Sequence, residues 1–172
     1  IRRDIENLIS AEKLVSEIDF HFAKARYAIK LEAVQPNVNA NKSIKIDLMR
    51  HPLLIGRVEN IVENDFIIGN DYKSIIITGS NTGGKTVALK TVGLFILMMK
   101  SGLFLPCAEA NIYPFENVLA DIGDEQSIEN DLSTYSSHLL NMKNCIKFSN
   151  GKSLLLIDEF GTGTEPMIGG AI

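Results

Sequence analysis

The sequence has no tryptophan, only two cysteines and five prolines, and slightly fewer basic than acidic residues, 17 against 21. Cys107 and Cys145 stand far apart with no C-x-x-C spacing. That excludes the common zinc and redox signatures and predicts reduced, buried thiols in a cytoplasmic setting. The longest strongly apolar run, Leu94 to Met99, falls well short of the ~20 residues a membrane helix needs. No charged leader followed by an apolar stretch opens the chain, so no membrane targeting is expected. A net charge of -4 and a pI near 5.4 lack the basic footprint of a surface that neutralises duplex phosphates, so any grip on nucleic acid is expected from other segments. What is plentiful is apolar content: 45% of 172 residues is enough to bury the core of one ordinary domain. The chain starts at Ile1 and stops at Ile172 just after Gly169-Gly170-Ala171, and is read as an excised piece of something longer.

Two units are expected. In residues 1–43, Ile1, Ile5, Leu8, Ile9, Val15, Ile18, Phe22, Ala25 and Ile29 recur at steps of three and four, which predicts a long amphipathic helix to about Glu32. It either packs along its own domain or projects as a lever. Gln35 to Ser43, with Pro36 and several asparagines, reads as a linker. In residues 44–172 the period changes. Ile44 to Leu48, Phe66 to Ile68, a buried Ser74 to Thr78, Val118 to Ala120 and Ser153 to Ile157 read as strands, with shorter ones near Phe104 and Asn111. Lys85 to Lys100 reads as a buried helix stopped by Gly102, and a second helix is expected from about Ser133 to Phe148. This is an α/β pattern.

Ile77-Thr78-Gly79-Ser80-Asn81-Thr82-Gly83-Gly84-Lys85-Thr86 lies between an apolar run and a helix, and its last eight residues fit G-x-x-x-x-G-K-[ST], the phosphate-binding loop of nucleoside-triphosphatases. Glycines Gly79, Gly83 and Gly84 let backbone N–H groups turn onto phosphates without Cβ clashes, and the helix presents its positive end to the same charge. Lys85 would reach the β and γ phosphates. The Thr86 hydroxyl suits Mg²⁺, which prefers hard oxygen ligands. Leu154-Leu155-Leu156-Ile157 delivers Asp158, the second expected Mg²⁺ partner, to a sheet edge, and Glu159 follows as a general base for water attack on the γ-phosphate. An acid placed for water activation favours an ATPase over a small-molecule kinase. Ser133 reads either as a helix N-cap or as a group offered in trans to the γ-phosphate of a second subunit. Phe66 reads either as a stacking partner for adenine or as a core strand residue. The three histidines show no ligand spacing, and no metal site is expected from them.

These blocks resemble one family, the MutS DNA mismatch-recognition ATPases of the ABC-type branch of P-loop enzymes. Arg50-His51-Pro52-Leu53-Leu54 is similar to the opening of the family's ATPase domain. Thr78 to Thr86 is similar to its GPN-x-GGK-[ST] loop, with Ser80 where Pro is usual. Ser133-Thr134 is similar to its trans signature, and Asp158 to Thr164 to its DE-x-G-x-GT. Ala120 to Ile128, Ser133 to His138 and Glu165-Pro166 are worded as in the family's type-two branch. The resemblance implies a P-loop NTPase sheet with flanking helices, ATP or ADP with Mg²⁺ as ligands, and a homodimer with nucleotides between subunits. It further implies a helical lever to a clamp on branched or structured DNA, held by regions outside this chain. In the type-two branch a C-terminal nuclease-type domain is usual, and work on collided ribosomes is also attributed to it. The family's switch His lies beyond Ile172, so turnover by this chain alone is not expected. Two rivals remain at this stage: a nucleotide-gated dimerisation module, and mismatch repair proper.

Overall fold

A computed structural model describes residues 5–69, 71–79, 84–123 and 131–158, with backbone only for 131–137. Helix α1 (Ile5–Leu31) is followed by strands β1 (Asn37–Val38), β2 (Ile44–Met49) and β3 (Asn64–Ile68), then helix α2 (Lys85–Lys100). Strands β4 (Glu109–Ile112) and β5 (Asn117–Asp121), helix α3 (Asp131–Phe148) and strand β6 (Ser153–Ile157) complete the order.

The strands form two sheets. One is four-stranded in the order β1-β4-β2-β3, with β2 antiparallel to both neighbours. Its central strand alternates as the period-2 rule requires, with Ile44, Ile46 and Met49 buried. A bulge between Ile46 and Met49 places Leu48 at φ 53°, and the Leu48 N–H is taken by Asp65 Oδ1 at 2.8 Å. The second sheet is the parallel pair β5–β6, joined through α3 as parallel neighbours must be joined by a crossover.

Helix α2 sits where the two sheets meet. Its Val92, Phe95 and Ile96 are fully buried in one cluster with Ile44, Ile46 and Ile112 of the first sheet and Leu154 and Leu156 of β6. Gly93 is what lets it approach: a Cβ there would stand 2.7 Å from Leu156 Cδ1. The helix ends as its sequence dictates, with the Ser101 N–H bonded back to the last carbonyls and Gly102 at φ 68° turning the chain away.

Helix α1 departs from ordinary packing. Residues 5–23 are exposed, including Leu8, Ile9, Val15, Ile18 and Phe22, so this stretch is not packed along the described residues of the chain. Among the described residues, contacts hold its C-terminal end. Leu31 is buried, Lys24 Nζ donates to the Ser101 carbonyl at 2.7 Å, and Arg50 spreads its guanidinium over the helix end. Arg50 reaches the Leu31 carbonyl at 3.0 Å, the Glu32 carbonyl at 3.3 Å and Glu32 Oε2 at 3.0 Å, satisfying acceptors that the last turn leaves open.

Three sequence expectations need correction. The linker is partly sheet, because Asn37 and Val38 pair in parallel with Asn111 and Ile112, and Val34 bridges Leu105. Ser74 to Thr78 pairs with none of the described strands, and Ile76 is 88% exposed. A strand needs a partner, and none of the described strands lies beside this one. A cavity of about 700 Å³ opens there instead, lined on one side by Ile75 and Ile77 and on the other by Leu155 and Ile157 of β6. Finally, α3 begins at Asp131, so Ser133 lies within its first turn and is not its N-cap.

Candidate functional site

Two features make up the candidate site: the start of α2, and the ends of the two parallel strands β5 and β6 that pack against that helix. Gly84, at φ 74°, is the residue from which α2 springs, a conformation that a side chain would strain. Among the described residues no side chain caps this helix start, and no acid lies in its first turn. Helices ordinarily satisfy these first N–H groups with a Ser, Thr, Asp or Asn oxygen, and without one the helix's partial positive charge faces outward. Lys85 adds a full positive charge at the same place. Its Nζ lies 2.7 Å from the carbonyl of Gly79, itself at φ 146°, so the lysine bridges the two ends of the glycine loop. Thr86, on the first turn of α2, is half-buried. Ser80, Asn81, Thr82 and Gly83 lie outside the described residues.

Asp158 follows β6 directly. Its N–H donates to the Asp121 carbonyl at 2.9 Å, which extends the ladder by one bond and fixes the residue at the carboxyl edge of the sheet. Glu159 lies outside the described residues. Phe66 is on β3 opposite Ile46, packed against the core and lining the same cavity as Ser74 and Ile75.

The expected phosphate loop and the expected carboxylate strand are thus both tied to α2, one as its N-terminus and the other by packing against it. What the sequence did not reveal is the partner of β5. Asp121 ends that strand 5% exposed, and its carboxylate is fully matched. His138 Nδ1 lies 3.0 Å from Oδ2, and Asn141 Nδ2 donates to Oδ1 at 3.1 Å. Opposite a carboxylate oxygen, Nδ1 carries the hydrogen and donates it. A signal existed: Val118-Leu119-Ala120-Asp121 repeats the apolar-run-then-acid form of Leu154 to Asp158.

Two further groups near the site are shifted. His51, whose Nδ1 accepts the Leu53 N–H at 3.2 Å, is pushed below its ordinary value by burial and then by the charge of Lys90 on α2. Cys145 of α3 is pushed up by burial and then by Asp121.

A family model, MutS domain V, matches residues 75–172, more than half of the sequence. This chain belongs to the MutS domain V family. Among curated proteins it is similar to Endonuclease MutS2 of Caldanaerobacter subterraneus subsp. tengcongensis, 46% identical over 173 residues covering 100% of this chain and 22% of the relative. It is also similar to Endonuclease MutS2 of Geobacillus kaustophilus, 50% identical over 159 residues, 92% of this chain and 20% of the relative. Endonuclease MutS2 of Bacillus cytotoxicus is 44% identical over 173 residues, covering 100% and 22%. The chain spans about a fifth of the length of these relatives. No described helix is long and apolar enough to cross a membrane.

Proposed function

We propose that this chain is the ATP-binding and ATP-hydrolysing unit of a cytoplasmic MutS-type DNA-binding protein of the type-two branch, built as a P-loop sheet of the ABC-ATPase kind. The observation that carries this reading is the start of α2: a glycine in left-handed conformation, no side-chain cap, no acid in the first turn, and Lys85 drawn across the loop mouth. That is an anion site made of backbone donors and one ammonium.

In this reading Gly79, Ser80, Asn81, Thr82, Gly83 and Gly84 wrap the phosphates and Lys85 exchanges its bond to the Gly79 carbonyl for the β and γ oxygens. Thr86 and Asp158 supply the hard oxygens that would hold Mg²⁺, which when bound neutralises charge on the transferring phosphoryl group. Glu159, next to Asp158, orients the attacking water and takes its proton. Phe66, at the edge of the cavity, is the candidate to stack on adenine. Ser133, in the first turn of α3, is offered to the nucleotide of a second protomer, so two sites form between two chains. DNA, and in this branch ribosomal RNA, would be held by parts of the protein beyond this chain, which is itself acidic.

The test is equilibrium binding of Mg-ATP and Mg-ADP, with Lys85→Ala as control, followed by turnover in the full-length protein. Binding lost on substitution, with Glu159→Gln binding ATP but not hydrolysing it, is the expected result. Turnover by Glu159→Gln equal to wild type would remove Glu159 from its role. Full dimerisation and DNA switching by a variant that cannot hydrolyse ATP would favour a nucleotide-gated assembly module.

A further inference from the structure

Asp121 is an expensive residue to keep. A carboxylate enclosed between a strand end and a helix loses most of its hydration, and the loss is offset only by full hydrogen bonding. Here both oxygens are matched by one helix, through His138 and Asn141, three residues apart and so on one face of α3. The backbone of the same residue is engaged on its other side, where its carbonyl accepts the Asp158 N–H. One residue therefore joins the strand that leads into Asp158 to the helix that holds Ser133 in its first turn. His138 stands five positions after Ser133, which is ~7.5 Å along the helix axis, within the stretch whose position a single anchored turn controls.

We propose that Asp121, His138 and Asn141 are positioning residues that set the start of α3 for the partner protomer's nucleotide, and tie that setting to Asp158 of their own site. This rests on the reading of the chain as an ATPase whose α3 start acts in trans. A shift of the β6 end on nucleotide binding moves the Asp121 carbonyl. The rigid carboxylate then carries the shift to His138 and Asn141, and so to the end of α3 that faces the other subunit. The two sites of a dimer would be coupled by this route.

The experiment uses full-length protein carrying two different affinity tags, so that mixed dimers can be isolated. His138→Leu alone should lower turnover by about ten-fold or more, the scale of a small misplacement at a reacting centre, and leave Mg-ADP affinity at its own loop within about two-fold. His138→Asn, whose amide nitrogen falls near the place of Nδ1, should recover most of the loss. In a mixed dimer of a His138→Leu protomer with a Lys85→Ala protomer, one site joins an intact loop to an intact α3. It should regain about half the wild-type turnover, one of two symmetric sites. A mixed dimer as inactive as either parent would mean that His138 serves only its own protomer, which overturns the proposal, as would wild-type turnover by His138→Leu. Should His138→Leu fail to fold, Asn141→Leu takes its place in the same mixing, with the same two outcomes. Wild-type turnover by Lys85→Ala would instead overturn the ATPase reading itself, a separate result.

Discussion

Leu156 of β6 stands so close to Gly93 of α2 that a Cβ on the glycine would lie 2.7 Å from its Cδ1. In an open helix position, alanine would stabilise by roughly 1 kcal/mol over glycine. Here the sign reverses. Gly93→Ala should destabilise by about 1–3 kcal/mol through overpacking, read as a lower urea midpoint at unchanged slope. Trimming the neighbour checks the cause. In the Gly93→Ala background, Leu156→Ala should cost less than the ~2–5 kcal/mol expected of a buried leucine alone. A midpoint that rises on Gly93→Ala would show that α2 does not rest on β6 through this pair.

Arg50 holds the C-terminal end of α1 by a fork that reaches two backbone carbonyls and the Glu32 carboxylate. Arg50→Ala should cost ~1.5–3 kcal/mol, the range for hydrogen bonds to charged groups, and Arg50→Lys should recover only part, since one ammonium cannot span the fork. Hydrogen exchange reads it locally: amides near Leu31 to Val34 should exchange faster, and unchanged exchange would argue against the clamp.

His51 links stability to acidity. Its pKa is held below the ordinary 6.5 by burial first and then by Lys90, so the folded state favours the neutral ring while the unfolded chain takes up the proton more readily. Stability from this group is complete above about pH 6.5 and is lost as the pH falls through the window between the unfolded and folded values. The melting temperature of wild type should therefore drop more between pH 7.5 and 5.5 than that of His51→Gln, which has no such proton to gain. Parallel pH profiles for the two proteins would refute the assignment.

Cys107 is buried, and its thiol is pushed up to about 11, chiefly by that burial. Cys145 is buried and shifted in the same direction. Since the thiolate is the nucleophile, both should resist iodoacetamide at pH 8 in native protein and react readily in denaturant. Rapid native labelling of Cys107 would mean that the β2–β4 region opens far more often than its packing implies.

Much of this fold could be read from local pattern. The apolar alternation of Ile44 to Met49, the sixteen-residue run of α2 and the apolar block Ser153 to Ile157 each carry their own period and punctuation, and each forms where that pattern places it. What could not be read depends on distant partners. Asn37 and Val38 gain their ladder from residues 111 and 112, and a proline- and asparagine-rich stretch gives no hint of it. Ile75 to Ile77 have every property of a strand except a neighbour to bond. At the site, the glycine motif announces itself by spacing alone, whereas the grip of His138 and Asn141 on Asp121 joins residues 17 and 20 positions apart, a pairing that no period describes.

The clamp at Arg50 gives α1 a property that no part of its own sequence has. A rod of 27 residues is ~40 Å long, and held at one end it converts a tilt of ~10° at the clamp into a sweep of ~7 Å at its tip. The body that holds the clamp need only shift by amounts its core can tolerate, because the gearing lies in the length of the helix.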